Sequence, residues 1–133
     1  MAPLLEAENL KKYFPTGASK LLLRPTAEVL AVDDISFTLE PGRTLGIVGE
    51  SGCGKSTLGR VLSMLLRPTS GAVRMNGVDL GSLSNKELNA MRRDIQMVFQ
   101  DPYACLNPRH SIGESITTPM NVQKVLDKQR RRA

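Results

Sequence analysis

The sequence predicts an α/β fold with an antiparallel β-subdomain at its N-terminal side. Three observations carry that prediction. The run Thr44 to Val48 is apolar and short, Gly49-Glu50-Ser51-Gly52-Cys53-Gly54-Lys55-Ser56-Thr57 follows it, and Leu58, Val61, Leu62 and Leu65 then recur at i, i+3, i+4 and i+7. This is the order strand, glycine-rich turn, helix. Upstream, Ile35, Phe37 and Leu39 alternate with Ser36, Thr38 and Glu40, the period of a half-buried strand of an antiparallel sheet. Downstream, Asn76-Gly77 separates Ala72–Met75 from Val78–Leu80, the signal of a two-residue hairpin.

The glycine-rich stretch satisfies G-x-x-x-x-G-K-[ST], the Walker A pattern, at every fixed position, and its strand-to-helix context is the one the pattern needs. A polyphosphate requires many donors and little bulk. Glycines allow the backbone to curl with successive N–H groups inward, and the helix beginning near Lys55 turns its positive dipole end to the same point. The Lys55 ammonium can reach the β- and γ-phosphates, Ser56 can ligate Mg²⁺, and Thr57 can add a phosphate hydrogen bond.

Composition bounds the rest. A chain of 133 residues, 41% hydrophobic and 23% charged, holds one globular domain at most. No apolar run approaches the ~20 residues of a membrane span, and the start lacks the basic and apolar regions of a secretory signal, so the cytoplasm is expected. Cys53 and Cys105 are the two cysteines. In the phosphate loop Cys53 is read as a small residue, with redox chemistry the alternative, and Cys105 as structural filler. The net charge of +5 has a local source in Lys124, Lys128, Arg130, Arg131 and Arg132. No aromatic platform accompanies them, so a solvated helix face is expected rather than a nucleic-acid tail.

Taken in order, residues 4–12 read as a first strand, Tyr13-Phe14-Pro15 leads into a loop at 16–19, and residues 20–28 have no clear element, with Pro25 against a regular one. The period-two strand follows, then the turn Pro41-Gly42. The strand Thr44–Val48 is apolar on both faces and is expected inside a sheet. The helix after Lys55 should stop near Leu66, ahead of Pro68. Ser84 and Glu87 form a capping box opening a helix to about Arg93. Ile95–Phe99 reads as a strand ended by Gln100-Asp101-Pro102, and Asn107-Pro108-Arg109 stays irregular. From Ile112 a helix should run to Thr118, break at Pro119 and resume after Asn121. The single histidine, His110, is read as a loop residue without a catalytic role.

These features together resemble the front half of an ABC transporter ATPase subunit. The resemblance rests on the aromatic after Leu10-Lys11-Lys12, the I-S-F-T-L-E-P-G turn, the loop G-E-S-G-C-G-K-S-T and a strand ending in Gln100. The stretch Met97-Val98-Phe99-Gln100-Asp101-Pro102-Tyr103-Ala104-Cys105-Leu106-Asn107-Pro108-Arg109 is similar to the Q-loop of the dipeptide and oligopeptide permease type, with Cys105 where Ser is usual. The resemblance implies a P-loop NTPase (RecA-like) ABC ATPase core with an N-terminal antiparallel β-subdomain. Residues 1–111 would form the N-terminal part of the nucleotide-binding domain and 112–133 the start of its helical subdomain. It further implies ATP and Mg²⁺ as cofactors, with residues 49–57 holding the phosphates. Lys55 and Gln100 would act in catalysis, Ser56 and Gln100 at the metal, and Phe14 under the adenine, with Tyr13 the adjacent alternative. Gln100 would also sense the γ-phosphate; an ordinary polar strand end is its alternative.

By the same resemblance the partners are transmembrane permease subunits, docking through 101–111, and a second ATPase subunit, identical or paralogous, with no nucleic acid. The location would be peripheral, at the cytoplasmic face of the inner (plasma) membrane. The sequence contains no L-S-G-G-Q signature, no apolar strand ending in Asp-Glu and no switch histidine. It therefore reads as truncated before the signature and Walker B. By the same resemblance Thr44–Val48 is expected to lack one or both of its parallel neighbours, with Ile47 or Val48 more exposed than in a central strand. Transport-coupled ATP hydrolysis driving di- or oligopeptide uptake is the function expected of the parent. The rivals are a nucleotide-binding fragment without turnover, a non-transport ABC ATPase acting on nucleic acid, and a small P-loop kinase.

Overall fold

The computed structural model describes residues 2–16, 27–101, 103 and 106–123. Residues 17–26, Cys105 and the basic stretch 124–133 lie outside the described residues, and so do the expectations that fell on them. The chain divides into two compact units, Met1–Leu88 and Asn89–Ala133.

The first unit is organised by a four-stranded antiparallel sheet in the order β2-β1-β3-β4. Its strands are β1 (Leu5–Thr16), β2 (Ala27–Leu39), β3 (Ser70–Met75) and β4 (Val78–Asp79). β1 is longer than the expected 4–12, because Tyr13, Phe14, Pro15 and Thr16 pair with Leu30, Val29, Glu28 and Ala27. β1 also breaks the period of two. Ala7 and Leu10 are both buried, although three residues apart. Asn9, at φ 46°, is the extra residue that brings them to one face, and the pairing slips there against both neighbours. The Asn9 N–H and the Ser36 hydroxyl satisfy this bulge: Asn9 N donates to Ser36 Oγ at 2.8 Å, and Ser36 Oγ donates to Asn9 Oδ1 at 3.0 Å. Asp34 in β2, at φ 56°, lies within a compensating slip between the Leu10–Ile35 and Lys12–Val32 pairs.

The hairpin between β3 and β4 forms as expected, with Asn76 at φ 50° and Gly77 at φ 79°, the two positive values of a type I′ turn. Helix α1 (Lys55–Leu62) lies against β1 and β2. Leu10, Val61, Val73 and Leu80 are the largest fully buried side chains, each contributing about 1.5–3 kcal/mol over an exposed position. α1 ends four residues before the expected Leu66. Ser63 caps it and Met64 takes φ 54°. Leu65 N then donates to Arg60 O and Met64 N to Val61 O, the two bonds of a Schellman closure. Met64 itself is 3% exposed, so burial of its side chain offsets a conformation usually left to glycine.

Two expected strands are not formed. Thr44–Val48 pairs with no described strand, and Leu45 and Ile47 are each 44% and Val48 93% exposed. Ile95–Phe99 in the second unit likewise forms no strand, with Val98 92% exposed. Both are apolar runs of the right length. A strand exists only through ladder bonds to a neighbour, and neither run belongs to the described sheet.

The capping box holds. Helix α2 (Asn85–Met91) opens with Glu87 N donating to Ser84 Oγ at 3.3 Å and Ser84 N donating to Glu87 Oε2 at 2.9 Å. It stops at Met91 rather than Arg93. In the second unit, helix α3 (Ile112–Gln123) runs through Pro119 without the expected break. Proline removes one backbone donor there. The hydroxyls of Thr117 and Thr118 donate to the carbonyls of Gly113 and Glu114, and the helix surface is open to water. A second capping box, Ser111 with Glu114, opens α3.

Candidate phosphate site

The glycine-rich stretch forms one continuous loop from Gly49 to Gly54 and enters α1 at Lys55. A turn closed by Cys53 N donating to Glu50 O starts the curl, and Leu58 N donating to Gly54 O starts the helix. Gly54 is required on two counts. Its φ is 93°, and a Cβ there would overlap the carbonyl oxygen of Ala31 on β2. Ala31 is the residue left over where Lys12 pairs with Val32 but Tyr13 pairs with Leu30. A slip in the sheet thus seats the phosphate loop.

The Lys55 side chain folds back over the loop. Its Nζ donates to Gly49 O at 2.8 Å and to Glu50 O, and lies 3.4 Å from Cys53 Sγ. No side chain caps the N-terminus of α1, and no acidic residue stands in its first turn. The first turn of α1 thus carries Lys55, Ser56 and Thr57 with no carboxylate on it. This donor set fits a polyphosphate. Ser56 is exposed there, as a metal-ligating hydroxyl must be. Among the described residues no cluster of three or more His, Cys, Asp or Glu could hold a metal. Mg²⁺ in phosphate sites takes few protein ligands, and the hydroxyl after the Walker A lysine, here Ser56, is one that fits.

A cavity of about 390 Å³ lies beside the loop, lined by Leu30–Asp33 and Ile35 of β2, Ile47, Val48, and Cys53–Lys55 with Leu58. β2 thus forms a wall shared with the loop, and β1 pairs to it. Phe14 stands on β1 opposite Val29, 36% exposed, with Lys12 Nζ 5.2 Å from its ring centroid. Tyr13, the alternative, is committed elsewhere. Its hydroxyl donates to Asp33 Oδ1 at 2.6 Å, and Lys11 Nζ lies 3.7 Å from the same oxygen. That bond to the Asp33 carboxylate is the main cause holding the Tyr13 phenol above its usual pKa.

Gln100 belongs to the second unit. It is exposed and follows the irregular run 95–99. Beyond it, Asp101 Oδ1 accepts from Tyr103 N, and Asn107 closes a turn through bonds from Arg109 N and His110 N. His110 sits in that turn. Sequence reasoning missed the Tyr13–Asp33–Lys11 cluster, whose partners are twenty residues apart and share no motif. It also missed the Ser111–Glu114 box, although S-x-x-E stands in the sequence at 111–114.

No helix among the described residues is long and apolar enough to cross a membrane. The chain is similar to the oligopeptide transport ATP-binding protein AppF of Bacillus subtilis strain 168, at 49% identity over 92% of this chain and 37% of that protein. It is 42% identical to the di/tripeptide transport ATP-binding protein DppF of Pseudomonas aeruginosa strain UCBPP-PA14, over 99% of this chain and 40% of the relative. It is 51% identical to the glutathione import ATP-binding protein GsiA of Escherichia coli strain K12, over 93% of this chain and 20% of the relative. The chain thus spans two fifths or less of these relatives' lengths. Among solved structures, the dimeric MJ0796 cassette, a bacterial ABC transporter cassette, superposes with a TM-score of 0.79 at 26% identity, over 96% of this chain and 52% of that one. Its post-hydrolysis state bound to ADP and Pi gives 0.78 over the same shares. The family model described as ABC transporter matches residues 32–133, which is most of the sequence, and this chain belongs to that family.

Proposed function

We propose that this chain supplies the nucleotide-binding face of an ATP-binding subunit of an ABC importer that couples ATP hydrolysis to di- and oligopeptide uptake. The observation that carries the reading is the loop itself: Lys55 folded over Gly49 and Glu50 at the uncapped N-terminus of α1. Peptide as the cargo is supported by the names of AppF and DppF.

In this reading the loop N–H groups, Lys55 and Thr57 bind the β- and γ-phosphates, and Phe14 stacks on the adenine. Ser56 would ligate Mg²⁺, which would neutralise charge on the phosphate oxygens, and Gln100 is a metal ligand by the resemblance alone. Lys55 and the loop donors then stabilise the charge that develops as water attacks the γ-phosphate in line. Residues 101–111 dock a transmembrane permease subunit, 112–133 begin the helical subdomain, and a second ATPase subunit, identical or paralogous, faces the nucleotide. The subunit works peripherally at the cytoplasmic face of the inner membrane. The 133 residues by themselves carry no signature and no Walker B carboxylates, so binding without turnover is expected of them.

Growth tests the transport reading. Replacing Lys55 by Ala in the gene should abolish growth on di- or tripeptides as nitrogen source and leave growth on free amino acids intact. Peptide uptake indifferent to that change contradicts it.

A further inference from the structure

On β1, alternate side chains have unlike partners. Lys11 and Tyr13 converge on Asp33, and their polar ends are engaged there. Lys12 shares the other strand face with Phe14, two residues on. Among the described residues Lys12 forms no ion pair, and its ammonium lies 5.2 Å from the Phe14 centroid, within cation–π range. Phe14 is still 36% exposed, so its ring is reachable from solvent.

We propose that Lys12 is a tethered occupant of the Phe14 ring that an incoming nucleobase displaces, and that it thereby sets the apparent affinity of the site for the base. The proposal rests on the reading of Phe14 as the stacking residue. A flat heterocycle and an ammonium seek the same negative face of an aromatic ring. Stacked ring centroids lie about 4.5–7 Å apart, which is the volume the Lys12 ammonium already fills. The apparent dissociation constant is then the intrinsic one divided by the fraction of chains in which the ring is uncovered. For an exposed cation–π contact that factor is about two- to fivefold.

The sign distinguishes this from simple attraction. Removing a positive charge weakens a site for a polyanion by Coulomb's law. Removing a displaceable cover tightens it for the base-bearing ligand alone. Calorimetric titration with Mg-ATP, and with inorganic tripolyphosphate as the base-free control, tests this on the wild-type chain, Lys12→Met, Lys12→Arg, Phe14→Ala and the Lys12→Met/Phe14→Ala double variant. Circular dichroism checks that each variant folds as the wild type does. Lys12→Met is expected to tighten Mg-ATP about two- to fivefold relative to its effect on tripolyphosphate, and to give no such gain without Phe14. Lys12→Arg, which still covers the ring, is expected to bind no tighter than wild type. If Phe14→Ala weakens Mg-ATP while Lys12→Met leaves it unchanged or weaker, the Lys12 proposal falls and the stacking role of Phe14 stands. Tightening by Lys12→Arg as large as by Lys12→Met also overturns it. Unaltered Mg-ATP binding by Phe14→Ala, or no binding by any version, overturns the Phe14 reading and this proposal together.

Discussion

The Cα of Gly54, the last residue before α1, faces the backbone carbonyl of Ala31 on β2 at a separation that no side chain could enter. The contact joins the phosphate loop to the sheet through main chain alone. Gly54→Ala is expected to destabilise the first unit by at least about 1–3 kcal/mol, the scale of one side chain forced to a left-handed φ, with the overlap on Ala31 added. Gly52, also at a positive φ of 83°, has open space around it. Gly52→Ala should therefore cost less than Gly54→Ala. Chemical denaturation of both variants checks the order; equal losses would show that the Ala31 contact is unimportant.

The Tyr13 hydroxyl donates to Asp33, and the bond raises the phenol's pKa above the ordinary 10.0. A group raised in the folded state contributes stability that is fully present below its unfolded pKa and lost as pH rises through the folded one. Tyrosine ionisation followed by ultraviolet absorbance should show Tyr13 titrating above 10.0 and returning toward it in Asp33→Asn. An unchanged titration in that variant would deny the bond.

Both capping boxes make the converse case. Ser84 holds the Glu87 carboxyl below 4.5 through its hydroxyl and then its N–H. Ser111 does the same for Glu114 through its N–H and then its hydroxyl, with His110 adding a smaller charge effect. A depressed carboxyl stabilises the fold above its unfolded pKa, and that contribution is lost as pH falls through the lower folded value. Helicity by circular dichroism should therefore decline below pH 4.5 in the wild type. The Ser84→Ala/Ser111→Ala variant should start from lower helicity at neutral pH and lose less on acidification. Parallel acid profiles would contradict this.

What the sequence disclosed and what it hid follow from the range of the forces involved. The loop, the Asn76-Gly77 turn and the Ser84–Glu87 box are each determined by residues within a few positions, and each was legible. The bulge at Asn9 was not, because Ser36 and the burial of Leu10 decide it from other elements. Met64 closing α1 was hidden for the same reason: a methionine signals no helix end, and its burial against the core is a tertiary effect. Thr44–Val48 and Ile95–Phe99 have the composition of strands and form none, because a strand forms only beside a neighbour. The exposure of Ile47 and Val48 agrees with the expectation that Thr44–Val48 lacks its parallel neighbours. At the site, residues 49–57 were identifiable from spacing and form the loop Gly49–Gly54 with the first turn of α1. Gln100 and Phe14 were reached only through family resemblance.

The central claim is that the Gly49–Thr57 loop of this chain binds a nucleotide through its phosphates. Calorimetric titration of Mg-ATP into the wild-type chain and into Lys55→Ala addresses it directly. Lys55 supplies charge-assisted hydrogen bonds worth about 1.5–3 kcal/mol, so the wild type should bind and Lys55→Ala should bind at least about tenfold more weakly or not measurably. Equal binding by the two chains would contradict the claim.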